Sequence, residues 1–177
     1  MPPAGCYALF PTKSVHISLQ TRRPIFDMMD LKPPELGRGK SRMPAKILVV
    51  DDHKAMRIAL CDWLAGALPG CEVTAASTGE EAVCLSVEWL PTLIIMDLGL
   101  PGISGLEATR RIKAERPRCP VLILTIHEGE LYRAEALASG ASDYVPKRLM
   151  QSALLPTITA LLDPSEDTSQ RRASLLG

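Results

Sequence analysis

The chain has 177 residues, 46% of them hydrophobic, and its 20 Lys and Arg balance 20 Asp and Glu. That is enough apolar material for one domain with a core and tails, and no apolar run approaches the ~18 residues of a membrane span. The charge is uneven: residues 1–43 carry seven basic against three acidic residues, residues 44–163 eleven against fifteen, and the last fourteen two of each. The part expected to fold is therefore mildly acidic, which argues against a broad footprint on a nucleic-acid backbone.

Residues 1–43 contain six prolines and no sustained periodicity, and they read as a disordered or irregular extension. The run that opens at Met43 looks like the start of a compact domain, so translation is expected to begin there. Arg22-Arg23 is followed by no apolar region, which argues against an export signal. The five cysteines, Cys6, Cys61, Cys71, Cys84 and Cys119, show no CxxC pair or metal-ligand spacing and read as idle thiols in a reducing cytosol.

From residue 44 the pattern alternates. Lys46–Val50 is a short apolar strand ending in Asp51-Asp52, and from His53 a helix follows, with Met56, Ala59, Leu60, Trp63, Leu64 and Ala67 on one face until Pro69-Gly70 stops it. A second strand spans Glu72–Ala76. Thr78-x-x-Glu81 has the form of a capping box and opens a helix carrying Ala82, Val83, Leu85 and Val87. After Pro91, Leu93–Met96 is four apolar residues in a row, as expected of a parallel strand buried on both faces, and Asp97 follows at once. Gly99 and Pro101 break the strand into a loop, and Ser104-x-x-Glu107 opens a third helix that cannot pass Pro117. Val121–Leu124 is a fourth strand ending in Thr125. A helix with Leu131, Ala134, Ala136, Leu137 and Ala138 stops at Gly140, Ala141–Val145 is a fifth strand leading to Pro146-Lys147, and a last helix spans 151–162. Residues 164–177 read as a polar, flexible tail. Five strands alternating with five helices specify an α/β fold: a five-stranded parallel sheet of flavodoxin-like order 2-1-3-4-5 with helices on both faces.

In such a sheet reactive groups lie beyond the carboxyl ends of the strands. Asp51 and Asp52, Asp97, Thr125 and Lys147 all fall there, on neighbouring strands. Taken singly, Asp97 fits a helix-cap acid, Thr125 a β-branched strand residue and Lys147 a solvated charge; together at one edge they do not. Three crowded carboxylates repel unless a cation neutralises them, and hard oxygen ligands suit Mg2+. A hydroxyl and an ammonium complement phosphoryl oxygens. Asp97 then reads as a nucleophile that forms an acyl phosphate, with Asp51 and Asp52 holding the metal and Thr125 and Lys147 contacting the phosphoryl group.

On Val49-Val50-Asp51-Asp52-His53, Met96 through Gly105, Leu124-Thr125 and Gly140 through Lys147, the sequence resembles the receiver domain of two-component response regulators, over residues 45–162. The Asp51-Asp52-His53 start, Arg57, and the lack of a proline after Lys147 are similar to the NarL/LuxR-type subgroup. The resemblance implies a CheY-like, cytoplasmic phosphoacceptor, not an enzyme in its own right, that assists its own phosphorylation and dephosphorylation. The donor would be a phosphohistidine of a sensor histidine kinase or phosphotransfer protein. It implies Mg2+ on Asp52, Asp97 and the Gly99 backbone carbonyl, with Asp51 acting through water. It also implies a switch in which Thr125 and Tyr144 reorient and the face of helix 4, strand 5 and helix 5 meets a downstream protein, with homodimerisation on phosphorylation one outcome. Tyr144 fits equally a half-buried strand tyrosine. Two departures from the family pattern bear on rates: Ile126 stands where a small residue is usual, and Pro146 fixes the backbone before Lys147.

Only fifteen residues follow the last helix, too few for a helix-turn-helix reader, so no direct DNA binding by this chain is expected. Alternatives are the receiver part of a truncated transcriptional regulator and a degenerate receiver serving as a binding scaffold. An aspartyl-phosphate hydrolase would want a second acid two residues after the nucleophile, and position 99 is glycine. Arg171-Arg172-Ala173-Ser174 resembles a basophilic kinase site, a short string that arises readily by chance.

Overall fold

The computed structural model describes residues 44–163. The expectations for residues 1–43, Cys6, residues 164–177 and the Arg171–Ser174 string lie outside them. The described residues form β1 (Lys46–Val50), α1 (Lys54–Ala67), β2 (Glu72–Ala76), α2 (Gly79–Glu88), β3 (Leu93–Met96), α3 (Gly105–Glu115), β4 (Val121–Thr125), α4 (Glu130–Ala138), β5 (Asp143–Pro146) and α5 (Leu155–Leu162). All pairings are parallel and the sheet order is β2-β1-β3-β4-β5, as the alternation predicts.

The continuous apolar runs follow from burial on both faces. Leu48, Val50, Ile94, Met96, Val121 and Ile123 pack with Ala82 of α2, Ala108 and Ile112 of α3 and Ala136 of α4. Their strand neighbours Ile47, Val49, Leu93, Ile95, Leu122 and Leu124 pack with Leu60 and Leu64 of α1 and Ile158 of α5. Successive strand residues point to opposite faces, so a central strand needs apolar residues at every position.

Both hydroxyl caps form, but neither acid closes its box on the N-cap N–H. The Thr78 hydroxyl accepts the Glu81 N–H at 3.1 Å and the Glu81 carboxylate accepts the Ser77 N–H at 2.8 Å. Ser104 Oγ accepts the Glu107 N–H at 3.3 Å, but the Glu107 carboxylate turns outward to Arg111 at 2.9 Å. α4 closes at Gly140 in a Schellman arrangement, with Gly140 N–H on Leu137 O and Ala141 N–H on Ala136 O.

Two expectations are corrected. The fifth strand is Asp143–Pro146 rather than 141–145; Ala141 is taken up in the α4 cap. The last helix does not run evenly over 151–162: a 3-10 turn at Lys147–Leu149 and a π turn at Met150–Leu154 precede α5. Pro156 is the physical reason, since it has no N–H to give and its ring crowds the carbonyl four residues back. Not every apolar helix residue is core: Val87 is 50% exposed, and in α4 Leu131 and Leu137 are 71% and 43% exposed while only Ala136 is buried.

α2 ends on a strained residue. Trp89 is its C-cap, and Leu90 follows at φ +55, a region normally left to glycine or asparagine. Leu90 is itself 57% exposed and has little burial to lose. Leu90→Asn is expected to stabilise the fold by about 0.5–1 kcal/mol. Urea unfolding with an unchanged slope would show this as a higher midpoint; a lower midpoint would mean that the Leu90 side chain matters more than its backbone.

Candidate phosphoacceptor site

The sheet carries its acids into place through the backbone. Asp51 N–H donates to Ala76 O at 3.3 Å and Asp97 N–H to Val50 O at 2.9 Å, so both acids continue the strand ladder by one residue. Asp51 is 2% and Asp97 7% exposed, whereas Asp52 faces solvent. One carboxylate oxygen from each of the three lies within 4.8 Å of the others.

Lys147, just past the end of β5, reaches into this cluster. Its ammonium donates to Asp51 Oδ2 at 2.8 Å and to Asp97 Oδ2 at 2.6 Å. Burial alone would lower the lysine pKa, but hydrogen bonds to Asp51 and Asp97 and their charges outweigh it and hold the ammonium above the ordinary lysine value. Pro146 does not keep the ammonium away. It sits on the edge strand β5, where a missing N–H is tolerated. The second oxygens are held by the backbone: Asp97 Oδ1 accepts the Leu98 N–H at 2.7 Å and Asp51 Oδ1 the His53 N–H at 2.8 Å. Gly105 passes so near that a Cβ there would lie 2.0 Å from Asp97 O, so only glycine fits.

A cavity of about 390 Å³ opens on the cluster, lined by Asp52, Asp97, Gly99 and Lys147 together with His53, Met56, Ile126 and His127. Gly99 is thus beside the acids, as its sequence position implies. Ile126 is 72% exposed, standing at the cavity wall without filling it. Thr125 ends β4 with its side chain fully buried, and its hydroxyl accepts the His127 N–H at 3.3 Å. Tyr144 is also buried, and its phenol donates to the His127 carbonyl. The two residues read from the sequence as a switch are therefore joined through the His127 backbone, and the His127 ring stacks on Tyr132 at 5.0 Å.

Sequence reasoning used Arg57 only as a mark of resemblance. Its guanidinium donates to Asp51 O at 2.6 Å and Asp52 O at 3.3 Å, fixing the backbone beneath the acid pair. An arginine one turn into the helix that follows paired acids was the available signal. Among the described residues Cys61, Cys71 and Cys119 carry thiols, and burial pushes the Cys61 thiol up to about 11.

The donor set fits a small hard cation: oxygen ligands, high negative charge, one acid exposed to water and a cavity for a further ligand. A parallel α/β sheet with a buried acid, two flanking acids and a lysine at the carboxyl edge defines a phosphoacceptor signalling fold. The chain belongs to the response regulator receiver domain family, whose model matches residues 47–159; such domains take phosphate from histidine kinases and bind Mg2+ through acidic residues. The transcriptional activator protein ExaE of Pseudomonas putida is 40% identical over 116 residues, 66% of this chain and 54% of that protein. The response regulator MprA of Mycolicibacterium vanbaalenii is 36% identical over 120 residues, 68% of this chain and 51% of that protein. A two-component response regulator of the LuxR family from Aurantimonas sp. SI85-9A1 superposes with a TM-score of 0.63 at 38% identity, over 67% of this chain and 85% of that one. The chain spans about half the length of the curated relatives it matches. Among the described residues no helix is long and apolar enough to cross a membrane.

Proposed function

We propose that Asp97 accepts the phosphoryl group from a phosphohistidine of a sensor histidine kinase or phosphotransfer protein, in the cytoplasm. An Asp97 carboxylate oxygen attacks phosphorus, the phosphorus–nitrogen bond breaks, and the imidazole leaves with its electron pair. The observation that carries this reading is the single ammonium of Lys147 shared between Asp51 and Asp97 inside the acid cluster. Once Asp97 Oδ2 is esterified it loses its charge, and the ammonium moves to the incoming phosphoryl oxygens. Asp52, Asp97 and the Gly99 carbonyl, with Asp51 through water, would hold Mg2+, which would supply charge neutralisation for an otherwise repulsive transfer.

The switch in this reading runs through Thr125. Its hydroxyl leaves the His127 N–H for a phosphoryl oxygen, and His127 is the residue whose carbonyl holds Tyr144. Two packings of the β4–α4 connection then differ by the charge at Asp97. The exposed Leu131 and Leu137 of α4 offer the surface that a downstream protein, or a second copy, meets. Membership of the NarL/LuxR-type subgroup is supported by Asp51-Asp52-His53 and by the likeness to the LuxR-family regulator from Aurantimonas.

Metal dependence tests the reading. With acetyl phosphate as donor, uptake of one phosphoryl group per chain is expected to require Mg2+ and to stop when EDTA is added, as followed by intact mass. Uptake indifferent to EDTA would remove the acid cluster from the mechanism.

A further inference from the structure

The loop after Asp97 carries Gly99 past the acids, yet little in the loop itself holds it there. Leu98 O accepts the Leu100 N–H at 3.0 Å and the Gly105 N–H at 3.1 Å, which closes the loop at its base. Its far side is fixed from another element. The Glu80 carboxylate, in the first turn of α2, accepts the Ile103 N–H at 3.0 Å across 23 residues of sequence. The contact is close: a Cβ on Gly102 would lie 2.4 Å from Glu80 Oε1, and one on Gly79 would lie 2.5 Å from Ile103 Cγ1 and 2.7 Å from Ile103 O. Two backbone N–H groups, Glu80's own and that of Ile103, hold the Glu80 carboxylate below the usual range, so it is an ionised acceptor at neutral pH.

From these contacts we infer that Gly79 and Glu80 form a seat that positions the Asp97 loop, making Glu80 a positioning residue for the Mg2+ and phosphoryl site. The inference rests on the proposed role of Gly99 as a backbone ligand. Glu80 itself touches none of the three acids; it acts through Ile103. Its neighbour Glu81 supplies the natural comparison. Glu81 serves the same helix end, accepting the Ser77 N–H at 2.8 Å, and makes no hydrogen bond to the loop. Removing either acid weakens the start of α2, but only one removal frees the loop.

The test uses the full chain and Mg2+ alone, titrated by calorimetry, with amide exchange read by NMR. Glu80→Ala is expected to weaken Mg2+ binding roughly tenfold, the low end of the effect of losing a supporting partner of a metal site. Exchange at the Leu100, Ile103 and Gly105 amides should accelerate with it. Glu80→Gln keeps an acceptor oxygen and should restore both, and Glu81→Ala should lower thermal stability while leaving Mg2+ affinity within about twofold of wild type. Equal affinities in wild type and Glu80→Ala, or equal losses in Glu80→Ala and Glu81→Ala, would overturn the seat. If the wild type itself fails to bind Mg2+, the reading of the metal site falls. The exchange measurement then decides the seat alone: acceleration confined to Glu80→Ala supports it, and unchanged loop amides overturn it.

Discussion

Asp97→Asn is expected to take up no phosphoryl group from acetyl phosphate under conditions in which the wild type is modified. The amide is close in shape to the carboxylate, and its oxygen can still accept the Leu98 N–H that now meets Asp97 Oδ1 at 2.7 Å. What it lacks is a nucleophilic oxygen able to form an acyl phosphate. The same change removes one of three crowded negative charges while Lys147 keeps its bond to Asp51 at 2.8 Å. With its oxygen on the Leu98 N–H, the amide turns its NH2 toward the Lys147 ammonium, which Asp97 Oδ2 accepts at 2.6 Å in the wild type. The relief of like-charge repulsion is offset by the lost ion pair, and the Tm is expected to stay near that of the wild type. Loss of modification with an unchanged Tm separates chemistry from unfolding. A variant that is still modified to the wild-type extent would place the acceptor elsewhere.

Lys147→Met should lower stability. The lysine side chain is 12% exposed, with Asp51 and Asp97 side chains at 3% and 10%. Removing the ammonium leaves two nearly buried carboxylates facing each other and the exposed Asp52. Breaking a buried pair from one side costs about 3–5 kcal/mol, and remaining water access puts the expected loss nearer 2–4 kcal/mol. Mg2+ should recover part of it by standing in for the missing charge, a recovery that Asp97→Asn would not show to the same degree. The pH dependence has a definite sign. Lys147 has its pKa raised from 10.5 in the fold. Its stabilising contribution is therefore fully present below 10.5 and is lost as pH rises through the higher folded value. The stability gap between wild type and Lys147→Met should stay constant at neutral pH and close only in strong alkali. A Lys147→Met protein as stable as wild type at neutral pH would show that the ion pairs contribute no net stability.

The sheet was legible because its signals are local. Four or five apolar residues between turn residues mark a strand buried on both faces, and Asp51, Asp97, Thr125 and Lys147 each sit one step from such a run. Strand order then follows from the crossover rule, and the acids meet because parallel strands end on one edge. What escaped was tertiary or cooperative. Nothing in the spacing of Glu80 and Ile103 announces a hydrogen bond between them, and Arg57 reads as an ordinary helix charge until its guanidinium is seen on two carbonyls. In α4, Leu131 and Leu137 satisfied a helical pattern, yet only Ala136 turns to the sheet. Pro156 lies inside the span read as one even helix, and its effect reaches back through a π turn over Met150–Leu154. Thr125 ends β4 and Tyr144 lies within β5, whereas their link through the His127 backbone depends on how one loop folds.

If Asp97 is the acceptor as proposed, the exposed Ile126 stands beside the modified group. It lines the cavity while remaining 72% exposed, so it stands at the wall without sealing the site. That geometry is compatible with transfer from a protein donor, whose imidazole must come within bonding reach of Asp97.

In the proposed function the acid at the end of β3 is the phosphoryl acceptor. The most direct measurement is borohydride trapping after treatment with acetyl phosphate and Mg2+, followed by peptide mass mapping. An acyl phosphate is reduced to the alcohol at the residue that carried it. Homoserine at position 97, with Asp51 and Asp52 unchanged, is the predicted result; reduction at another acid, or an intact Asp97 in a protein that has taken up phosphate, would contradict it.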